Sequence, residues 1–352
     1  MRAPVSEPVI SSVDRASQSA GSPSGANVLL LGGTGFLGIA LIKRLLQDGL
    51  RLRALVRDLS GRAGGLADLG VELVLGDIQH TPSVAAALVG IRHVVHLARS
   101  PGPAWDDYLQ QDVEPTRRLA DLCRARGIGL HYTSSIAIYD GGQAGSVITE
   151  STPPSAASMR LNPYARAKVT NERLLRDMHH EHGLDVVVFR PGIVIGAGGS
   201  LRHPGVGAWP DRSTCRPWGG GGHRLPFVLV DDCADAMALA LRAPGMSGES
   251  FNLVGDVGLS GNEYLDALER IAGLKIRRSP VPAWRLFAQS VAKWALKPLT
   301  GGPGRPLPSY RYCDGLSCRA SYLAGHAKSR LGWAPVADRA VMIERGIALP
   351  SR

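Results

Sequence analysis

The sequence predicts an α/β protein built on a doubly wound parallel sheet, followed by a smaller, mixed but mainly helical C-terminal lobe. Three observations lead to this fold class. Short apolar runs alternate with helical patterns up to Phe189, a glycine-rich turn follows the first apolar run, and the alternation stops after Ile195. Strands that alternate with helices at this spacing are typical of a parallel sheet covered on both faces.

Six apolar runs are predicted to be the strands of that sheet, because an unbroken apolar run suits a parallel strand buried on both faces. They cover residues 28–31, 52–56, 71–75, 94–97, 130–133 and 186–189. Helices are expected over about 36–47 and 105–125. Two more should begin at Thr81-Pro82 and Asn162-Pro163, since Thr or Asn caps a helix and Pro fits its first turn.

The chain divides into three predicted parts. Residues 1–26 are rich in Ser, Ala, Gly and Pro without periodicity, which predicts a disordered leader. Residues 27–195 form the sheet domain, and 226–243 are expected to return to it as a strand and a helix. Residues 196–225 and 244–352 form the lobe, which we expect to recognise the substrate through three or four helices.

Composition restricts the class of protein. The 352 residues are 44% hydrophobic and carry a formal charge of +10, yet contain no block of five or more Lys/Arg. A solvated basic surface is therefore favoured over nucleic-acid binding. The five scattered cysteines form neither a disulfide framework nor a zinc spacing, which predicts no metal site and a reducing, cytoplasmic compartment. No apolar run is long enough to span a membrane.

The turn after the first strand has the composition of a dinucleotide-binding loop. It reads GGTGFLG, with Gly32, Gly35 and Gly38 in a GxxGxxG spacing and with Phe36 and Leu37 at the start of a helix. Glycine permits a tight turn and close approach of a pyrophosphate, and the helix N-terminus supplies free N–H groups. Because the loop lies between a buried strand and a helix, we expect it to bind a nicotinamide cofactor.

The end of the second strand indicates which cofactor is bound. An acidic residue there binds the adenosine 2′-hydroxyl of NAD, whereas an arginine accommodates a 2′-phosphate. Arg57 stands about 20 residues past the glycines, so NADP(H) is favoured; Asp58, one position later, leaves NAD(H) as the alternative. Asp77, which follows the third strand, is placed to meet the adenine, with capping of its own turn as the other interpretation.

Three residues are candidates for the chemistry. Tyr164 and Lys168 form a YxxxK pair and share one helix face at positions i and i+4. A phenol is a poor base at neutral pH, and a neighbouring ammonium group favours its ionised form. Lys168 is also placed to reach the ribose hydroxyls of the cofactor. Ser135, after the fifth strand, is placed to hydrogen-bond the substrate oxygen.

With these motifs, the chain from about Asn27 onwards resembles the extended short-chain dehydrogenases/reductases, the NAD(P)-dependent epimerase/dehydratase family. Further matching pieces are GDI at 76–78, HLA at 96–98, FRPG at 189–192 and LGW at 331–333. The resemblance implies a Rossmann-type sheet and implies that Ser135, rather than Ser134, acts with the tyrosine. It also implies cofactor contacts at Ile78, Leu97, Ala98, Pro191 and Ile193.

The chain departs from the family pattern at three positions. Leu31 stands where the family has a threonine before the first glycine. Asp112 replaces an asparagine that supports a proton relay in some relatives, so that relay is not carried over. Leu225 aligns with an arginine by which nucleotide-sugar epimerases grip the diphosphate, although Arg224 is adjacent.

The resulting functional prediction is an NAD(P)-dependent oxidoreductase or epimerase that acts on a secondary alcohol or ketone by hydride transfer, with Tyr164 as acid and base. A nucleotide sugar ranks first as the substrate. The alternative substrate is a steroid-like, hopanoid-like or lipid-linked alcohol, as in 3β-hydroxysteroid dehydrogenase relatives. The alternative of another class is a non-catalytic NADP-binding sensor or scaffold. We expect a homodimer that acts on a small molecule.

The segment 282–297 bears on the substrate. Trp284, Phe287, Val291 and Trp294 recur in it at helical spacing. Core packing of a lobe helix is the favoured interpretation. An apolar wall over the pocket, or a face resting on a membrane, is the alternative.

Overall fold

The structure is a computed structural model that describes residues 27–99, 102, 104–139, 146–296, 307–316 and 320–347. The predicted leader, residues 1–26, lies outside the described residues. The fold class is confirmed: seven strands form one parallel sheet in the order β12-β7-β5-β4-β1-β2-β3, with helices on both faces.

Strands in the described residues are numbered along the chain. They are β1 (Val28–Leu31), β2 (Leu52–Val56), β3 (Glu72–Leu75), β4 (His93–His96), β5 (Gly129–Thr133), β6 (Val147–Ile148), β7 (Val186–Pro191), β8 (Ile193–Ile195), β9 (Gly207–Ala208), β10 (Thr214–Pro217), β11 (Phe227–Leu229), β12 (Ser250–Leu253), β13 (Arg277–Arg278) and β14 (Ser321–Tyr322). The six strands predicted for the main sheet are all present, within two residues at each end.

Helices are numbered in the same way. They are α1 (Phe36–Gln47), α2 (Arg62–Asp68), α3 (Thr81–Ala87), α4 (Trp105–Tyr108), α5 (Glu114–Arg126), α6 (Ala156–Leu161), α7 (Pro163–His182), α8 (Val230–Arg242), α9 (Gly261–Ala272), α10 (Ala283–Leu296), α11 (Tyr310–Gly315), α12 (Gly325–Leu331) and α13 (Arg339–Gly346). Five helices therefore follow residue 243 in the described chain, where three or four were predicted.

The sheet separates two apolar cores, as expected for strands buried on both faces. On one face α1 and α8 pack against each other and against the sheet, and Leu41 and Met237 lie in this core. On the other face α3, α5 and α7 contribute Val84, Leu119 and Leu175. The aliphatic composition of these layers agrees with the low aromatic content of the sequence.

The helix predicted over 105–125 is interrupted. A π-helical turn, Leu109–Val113, separates α4 from α5. Such a turn inserts one extra residue into a helix and is often found at functional sites. Here it carries Asp112, which is buried, so the irregularity positions a residue that faces the interior rather than solvent.

Segments after residue 243 contact the sheet domain at two places. β12, in a region assigned to the lobe from sequence, pairs in parallel with β7 and forms one edge of the sheet. Further along, Trp333 Nε1 donates to the carbonyl oxygen of Asp232 at 2.9 Å, and the Val336 amide donates to the Asp232 carboxylate at 3.0 Å. β11 pairs instead with β8, outside the seven-stranded sheet, whereas α8 packs against α1 of the sheet domain.

The core-packing interpretation of segment 282–297 is wrong. The helix α10 contains no buried residue, and Trp284 is 61% exposed. The helix packs against α11, where the Phe287 and Tyr310 rings meet edge to face with centroids 5.9 Å apart. Its apolar residues recur at helical spacing, but most of them have no core beneath them. Periodicity alone therefore predicted the wrong environment for this helix. None of the helices in the described residues is long and apolar enough to cross a bilayer.

Candidate active site

Because the sheet is parallel, the loops after its central strands meet at one edge. β4 lies between β1 and β5 with Leu31 beside His96 and His96 beside Tyr132, and Thr133 of β5 lies beside Phe189 of β7. The glycine turn and the segments carrying Ala98, Ser135 and Pro191 therefore leave the sheet side by side. Ligands of open α/β sheets bind outside the carboxyl ends of the strands, as this arrangement requires.

Two glycines of the turn have no room for a side chain. Gly32 has a φ of +87°, and a Cβ atom there would lie 2.7 Å from the Ala98 nitrogen. A Cβ at Gly38 would lie 2.4 Å from the Gly32 carbonyl oxygen. These positions must be glycine so that the turn can pack against β4 and α1 can approach the turn.

The N-terminus of α1 is open to an anion. Gly35 is its N-cap without a side-chain hydrogen bond, and its first turn contains no acidic residue. The first amides of a helix, here those of Phe36 and Leu37, have no acceptor within the helix. The turn therefore fits the pyrophosphate of a dinucleotide, which would accept hydrogen bonds from these amides.

Arg57 and Asp58 differ in what they contact. The Asp58 carboxylate accepts hydrogen bonds from the Ser60 amide at 2.9 Å and from the Ser60 hydroxyl at 2.6 Å. These bonds lower the pKa of Asp58 and hold its carboxylate in the local turn. Arg57 is exposed directly after β2, and within the described residues its side chain has no ion-pair partner.

Asp77 lies in the turn between β3 and α3. Its carboxylate accepts from the Gln79 amide at 2.9 Å, which is the turn-capping role that was the alternative interpretation. The following Ile78 lines a small cavity together with Ala98, His96, Gln111 and Asp112. Two of the predicted cofactor residues, Ile78 and Ala98, are thus brought together. The amide of Leu97, just after β4, donates a hydrogen bond to the Leu31 carbonyl oxygen at the end of β1.

Tyr164 and Lys168 lie on one face of α7. The Asn162 side chain caps this helix by accepting from the Ala165 amide, with Pro163 in the first turn. Lys168 Nζ lies 5.9 Å from the centre of the Tyr164 ring; Lys168 is buried, whereas Tyr164 is only partly buried. Ser135 is also partly buried, and its hydroxyl accepts from the Ala137 amide at 3.2 Å within the turn that packs on α7.

Two residues that the sequence analysis missed complete the environment of Lys168. Its ammonium donates to Tyr132 Oη at 3.1 Å. Asn171 Nδ2 donates to Tyr132 Oη at 2.9 Å and to Asp112 Oδ1 at 2.7 Å. The spacing of Tyr164, Lys168 and Asn171 at i, i+4 and i+7 is the signal that could have placed Asn171 on the same face.

The buried cluster keeps Lys168 charged. Burial alone would lower the pKa of Lys168, but the neighbouring Tyr132, Asp112 and Tyr164 outweigh it and raise the pKa above its ordinary value. Burial raises the pKa of Tyr132 in turn, so its hydroxyl stays protonated. The site therefore presents a fixed positive charge below the Tyr164 ring.

The residues after β7 are held by an ion pair and by the lobe. Arg190 Nη2 pairs with the Glu172 carboxylate of α7 at 2.6 Å, and both side chains are buried. This pair fixes the strand that ends at Pro191 against the helix that carries Tyr164. The Ile193 side chain, predicted beside the nicotinamide, packs in the lobe core with Phe227.

Arg99 is a further residue at the mouth of the site, just past Ala98. Its guanidinium carbon lies 5.9 Å from the centre of the Tyr164 ring. Burial, with a smaller effect of Arg99, lowers the pKa of His203 to about 4, so His203 is neutral at physiological pH. The sequence offered no motif for Arg99, because the position follows the matching HLA segment and belongs to no pattern.

No cation occupies the position aligned with the diphosphate arginine. Leu225 is 5% exposed and belongs to the lobe core with Val257 and Tyr264. Arg224 is exposed and forms a backbone bridge with Ser260. An apolar side chain therefore fills this point of the lobe.

The fold and this site define an NAD-dependent enzyme of the short-chain dehydrogenase/reductase type. The chain belongs to the NAD dependent epimerase/dehydratase family, whose sequence profile matches residues 28–254. This assignment agrees with the extended short-chain dehydrogenase/reductase resemblance of the motifs, and it makes the chain an oxidoreductase of the epimerase/dehydratase type.

Several known proteins are similar over most of the chain. A 2-alkyl-3-oxoalkanoate reductase of Shewanella oneidensis is 27% identical over 337 residues, which cover 92% of this chain and 84% of the reductase. The crystal structure of gox2253 is 25% identical with a TM-score of 0.73, covering 92% of this chain and 97% of that one. The UDP-glucuronic acid 4-epimerase of Bacillus cereus, solved with UDP-glucuronic acid and NAD, is 19% identical with a TM-score of 0.69, covering 91% and 98%.

Proposed function

We propose that this enzyme interconverts a 3-oxo acid carrying apolar chains and the corresponding 3-hydroxy acid, with NADP(H) as the cofactor. The observation that carries the proposal is the position of Arg99, exposed and 5.9 Å from the centre of the Tyr164 ring. Within the described residues Arg99 has no carboxylate partner. A guanidinium group there suits a substrate carboxylate separated by two bonds from the reacting carbon.

Three side chains of the site, together with the cofactor, would carry out the reaction. A nicotinamide cofactor, when bound, supplies the hydride to the ketone carbon or removes it from the alcohol carbon. Tyr164 donates its phenolic proton to the ketone oxygen during reduction and accepts it back during oxidation. Ser135 donates a hydrogen bond to the same oxygen and orients it. The Lys168 ammonium favours the ionised form of Tyr164 after the proton has left.

The lobe supports an apolar substrate over the nucleotide sugar that ranks first from sequence. A diphosphate needs cationic partners, and Leu225 supplies none at the aligned position. The name of the Shewanella oneidensis relative describes the reduction of a 2-alkyl-3-oxoalkanoate. Such a molecule contains a carboxylate, a ketone and alkyl chains. Arg99 matches the carboxylate of such a molecule.

The choice of NADP(H) rests on Arg57. It stands at the end of β2 with its side chain exposed, where a 2′-phosphate would lie. Asp58, the residue that would select NAD, is held by Ser60 in its own turn. Asp58 would therefore not oppose a charge-assisted contact between Arg57 and the 2′-phosphate.

The experiment measures oxidation of a 2-alkyl-3-hydroxy acid with NADP⁺, because free 3-oxo acids lose carbon dioxide spontaneously. The matched methyl ester, UDP-glucose and UDP-glucuronic acid are the other substrates. We expect turnover of the acid, and in Arg99→Ala a rise in KM for the acid of about tenfold or more with little change for the ester. Arg124→Ala, an exposed arginine on α5, is the control. Turnover of the nucleotide sugars alone would refute the proposal.

A further inference from the structure

The helix α10 leaves its apolar side chains in solvent. Trp284, Val291, Trp294 and Leu296 are all exposed, at 61%, 38%, 39% and 58%. A globular protein rarely exposes two tryptophans on one short helix, because each forfeits the gain of burying a large apolar surface. A surface of this kind indicates a partner that provides an apolar environment.

The exposed residues of α10 include an apolar stripe and a basic row. Trp284, Ala288, Val291 and Ala295 stand at i, i+4, i+7 and i+11, so they form one apolar stripe along the helix. Arg285, Gln289 and Lys293 stand at i, i+4 and i+8 and form a polar and basic row, which lies about 100–180° around the helix axis from Trp284. Arg285 therefore flanks the apolar stripe, and Lys293 lies on the opposite face of the helix.

The charge around α10 is mostly positive. Between Arg270 and Cys313 the sequence contains eight Lys and Arg residues and no Asp or Glu, and Asp314 of α11 follows directly. Arg278 is paired with Asp266 and Glu269 of α9, but Arg285 and Lys293 have no acidic partner in the described part of the chain. The partner must therefore combine an apolar interior with negative charge at its surface.

We propose that α10 is a membrane-surface helix, which lies in the interface of an anionic phospholipid bilayer. Its apolar stripe would enter the boundary between headgroups and acyl chains, where tryptophan is favoured. Arg285 and Lys293 would contact the phosphates of anionic lipids. The inference rests on this surface alone and does not depend on the proposed substrate.

The position of α10 links such a surface to the site. α10 packs on α11, α11 contacts α6, and α6 ends at Leu161, two residues before the helix that carries Tyr164. These contacts connect the helix that carries the exposed surface to the helix that carries Tyr164.

The test measures co-sedimentation of the full-length protein with vesicles, without substrate or cofactor. Vesicles of phosphatidylcholine alone are compared with vesicles that contain about 30 mol% phosphatidylglycerol and so mimic an anionic leaflet. We expect binding to the anionic vesicles that weakens as salt increases, with a blue shift of tryptophan emission. R285E/K293E and Trp284→Ala/Trp294→Ala should each reduce the vesicle-bound fraction by about tenfold.

Matched variants separate this surface from general properties of the protein. R124E/R173E changes the net charge equally at exposed arginines on α5 and α7 and should bind like the parent. Leu69→Ala/Val89→Ala removes exposed apolar side chains elsewhere and should also bind. Equal losses in R124E/R173E and R285E/K293E would overturn the proposal. The proposal would also be overturned if the parent protein did not bind the vesicles but formed dimers, and if the Trp284→Ala/Trp294→Ala variant did not form those dimers.

Discussion

Lys168 Nζ lies 4.0 Å from Oδ2 of Asp112, and both side chains are almost completely buried. The ammonium beside Tyr164 is thus shared with a carboxylate, at a position where the family pattern has an asparagine. A neutral partner would leave the full charge of Lys168 directed at the phenol. We therefore infer that Asp112 is a positioning residue that moderates this charge.

Asp112→Asn should lower stability and shift the pH dependence of activity. The free energy of unfolding should fall by about 1–3 kcal/mol, because a buried ammonium loses its anionic partner. The unshielded charge of Lys168 should favour ionised Tyr164, so half-maximal activity in the oxidation direction should move to lower pH. Urea unfolding and a pH profile of kcat/KM measure the two effects. Asp121→Asn, in an exposed pair with Arg117, should change neither, and identical behaviour of the two variants would contradict the assignment.

Tyr164→Phe should keep cofactor binding and lose turnover. The variant retains the ring over Lys168 but has no proton to transfer, so kcat should fall by about 10²–10⁴-fold. Fluorescence titration with NADPH and steady-state rates measure the two properties. The control is Tyr264→Phe, which removes a hydroxyl that bonds the Leu201 oxygen in the lobe and should preserve kcat. Parent-like turnover of Tyr164→Phe would show that another group moves the proton.

Arg57→Ala should abolish the preference for NADPH. Loss of a charge-assisted bond to the 2′-phosphate costs about 1.5–3 kcal/mol, or roughly ten- to hundredfold in the Kd for NADPH, while the Kd for NADH should hardly change. Isothermal titration with both cofactors gives the ratio. Arg92→Ala removes an exposed arginine just before β4, at the opposite end of the strands from Arg57, and should leave the ratio intact. If the parent bound NADH as tightly as NADPH, the cofactor prediction would be wrong.

Stability should fall as the pH decreases below about 6.5. Burial lowers the pKa of His96 and of His131 to about 3, below the ordinary value of 6.5. The unfolded chain then binds protons that the folded chain does not, so stabilisation is present above pH 6.5 and is lost as the pH falls. Each residue contributes about 2 kcal/mol of this loss at about pH 5.

His131→Phe tests this pH dependence. The ring of His131 already stacks on Phe189 with centroids 6.2 Å apart, so phenylalanine should fit the same space. The difference in unfolding free energy between pH 7 and pH 5 should shrink by about 2 kcal/mol. His80→Gln, at an exposed histidine before α3, should leave that difference unchanged. An unaltered slope in His131→Phe would mean that this histidine is protonated in the folded protein.

The main sheet could be predicted almost completely because its signals are local. Continuous apolar runs mark the buried strands, and proline or glycine marks the ends of α3 and α7. The glycine turn was predictable for the same reason, since only glycine fits beside Ala98. The lobe was harder, because β9, β10 and β13 contain two to four residues and have no periodicity of their own.

The rest of the site depends on contacts distant in sequence. Asp112 reaches Asn171 because a π-helical turn changes the register of its helix, and no spacing in the sequence reports that turn. Tyr132 has the sequence pattern of an ordinary strand residue. Its hydroxyl contacts Lys168 only because α7 packs over β5. The environment of α10 was mispredicted because helical periodicity shows which residues share a face, but not what covers that face.

The late strand β12 has a consequence for synthesis on the ribosome. The sheet gains its last strand only when Ser250–Leu253 pair with β7, and the hydrogen bonds from Trp333 and Val336 to Asp232 form about 80 residues later still. Until Ser250–Leu253 are synthesised, β7 is the edge strand of the nascent sheet, and an unpaired edge of this kind can pair with other chains.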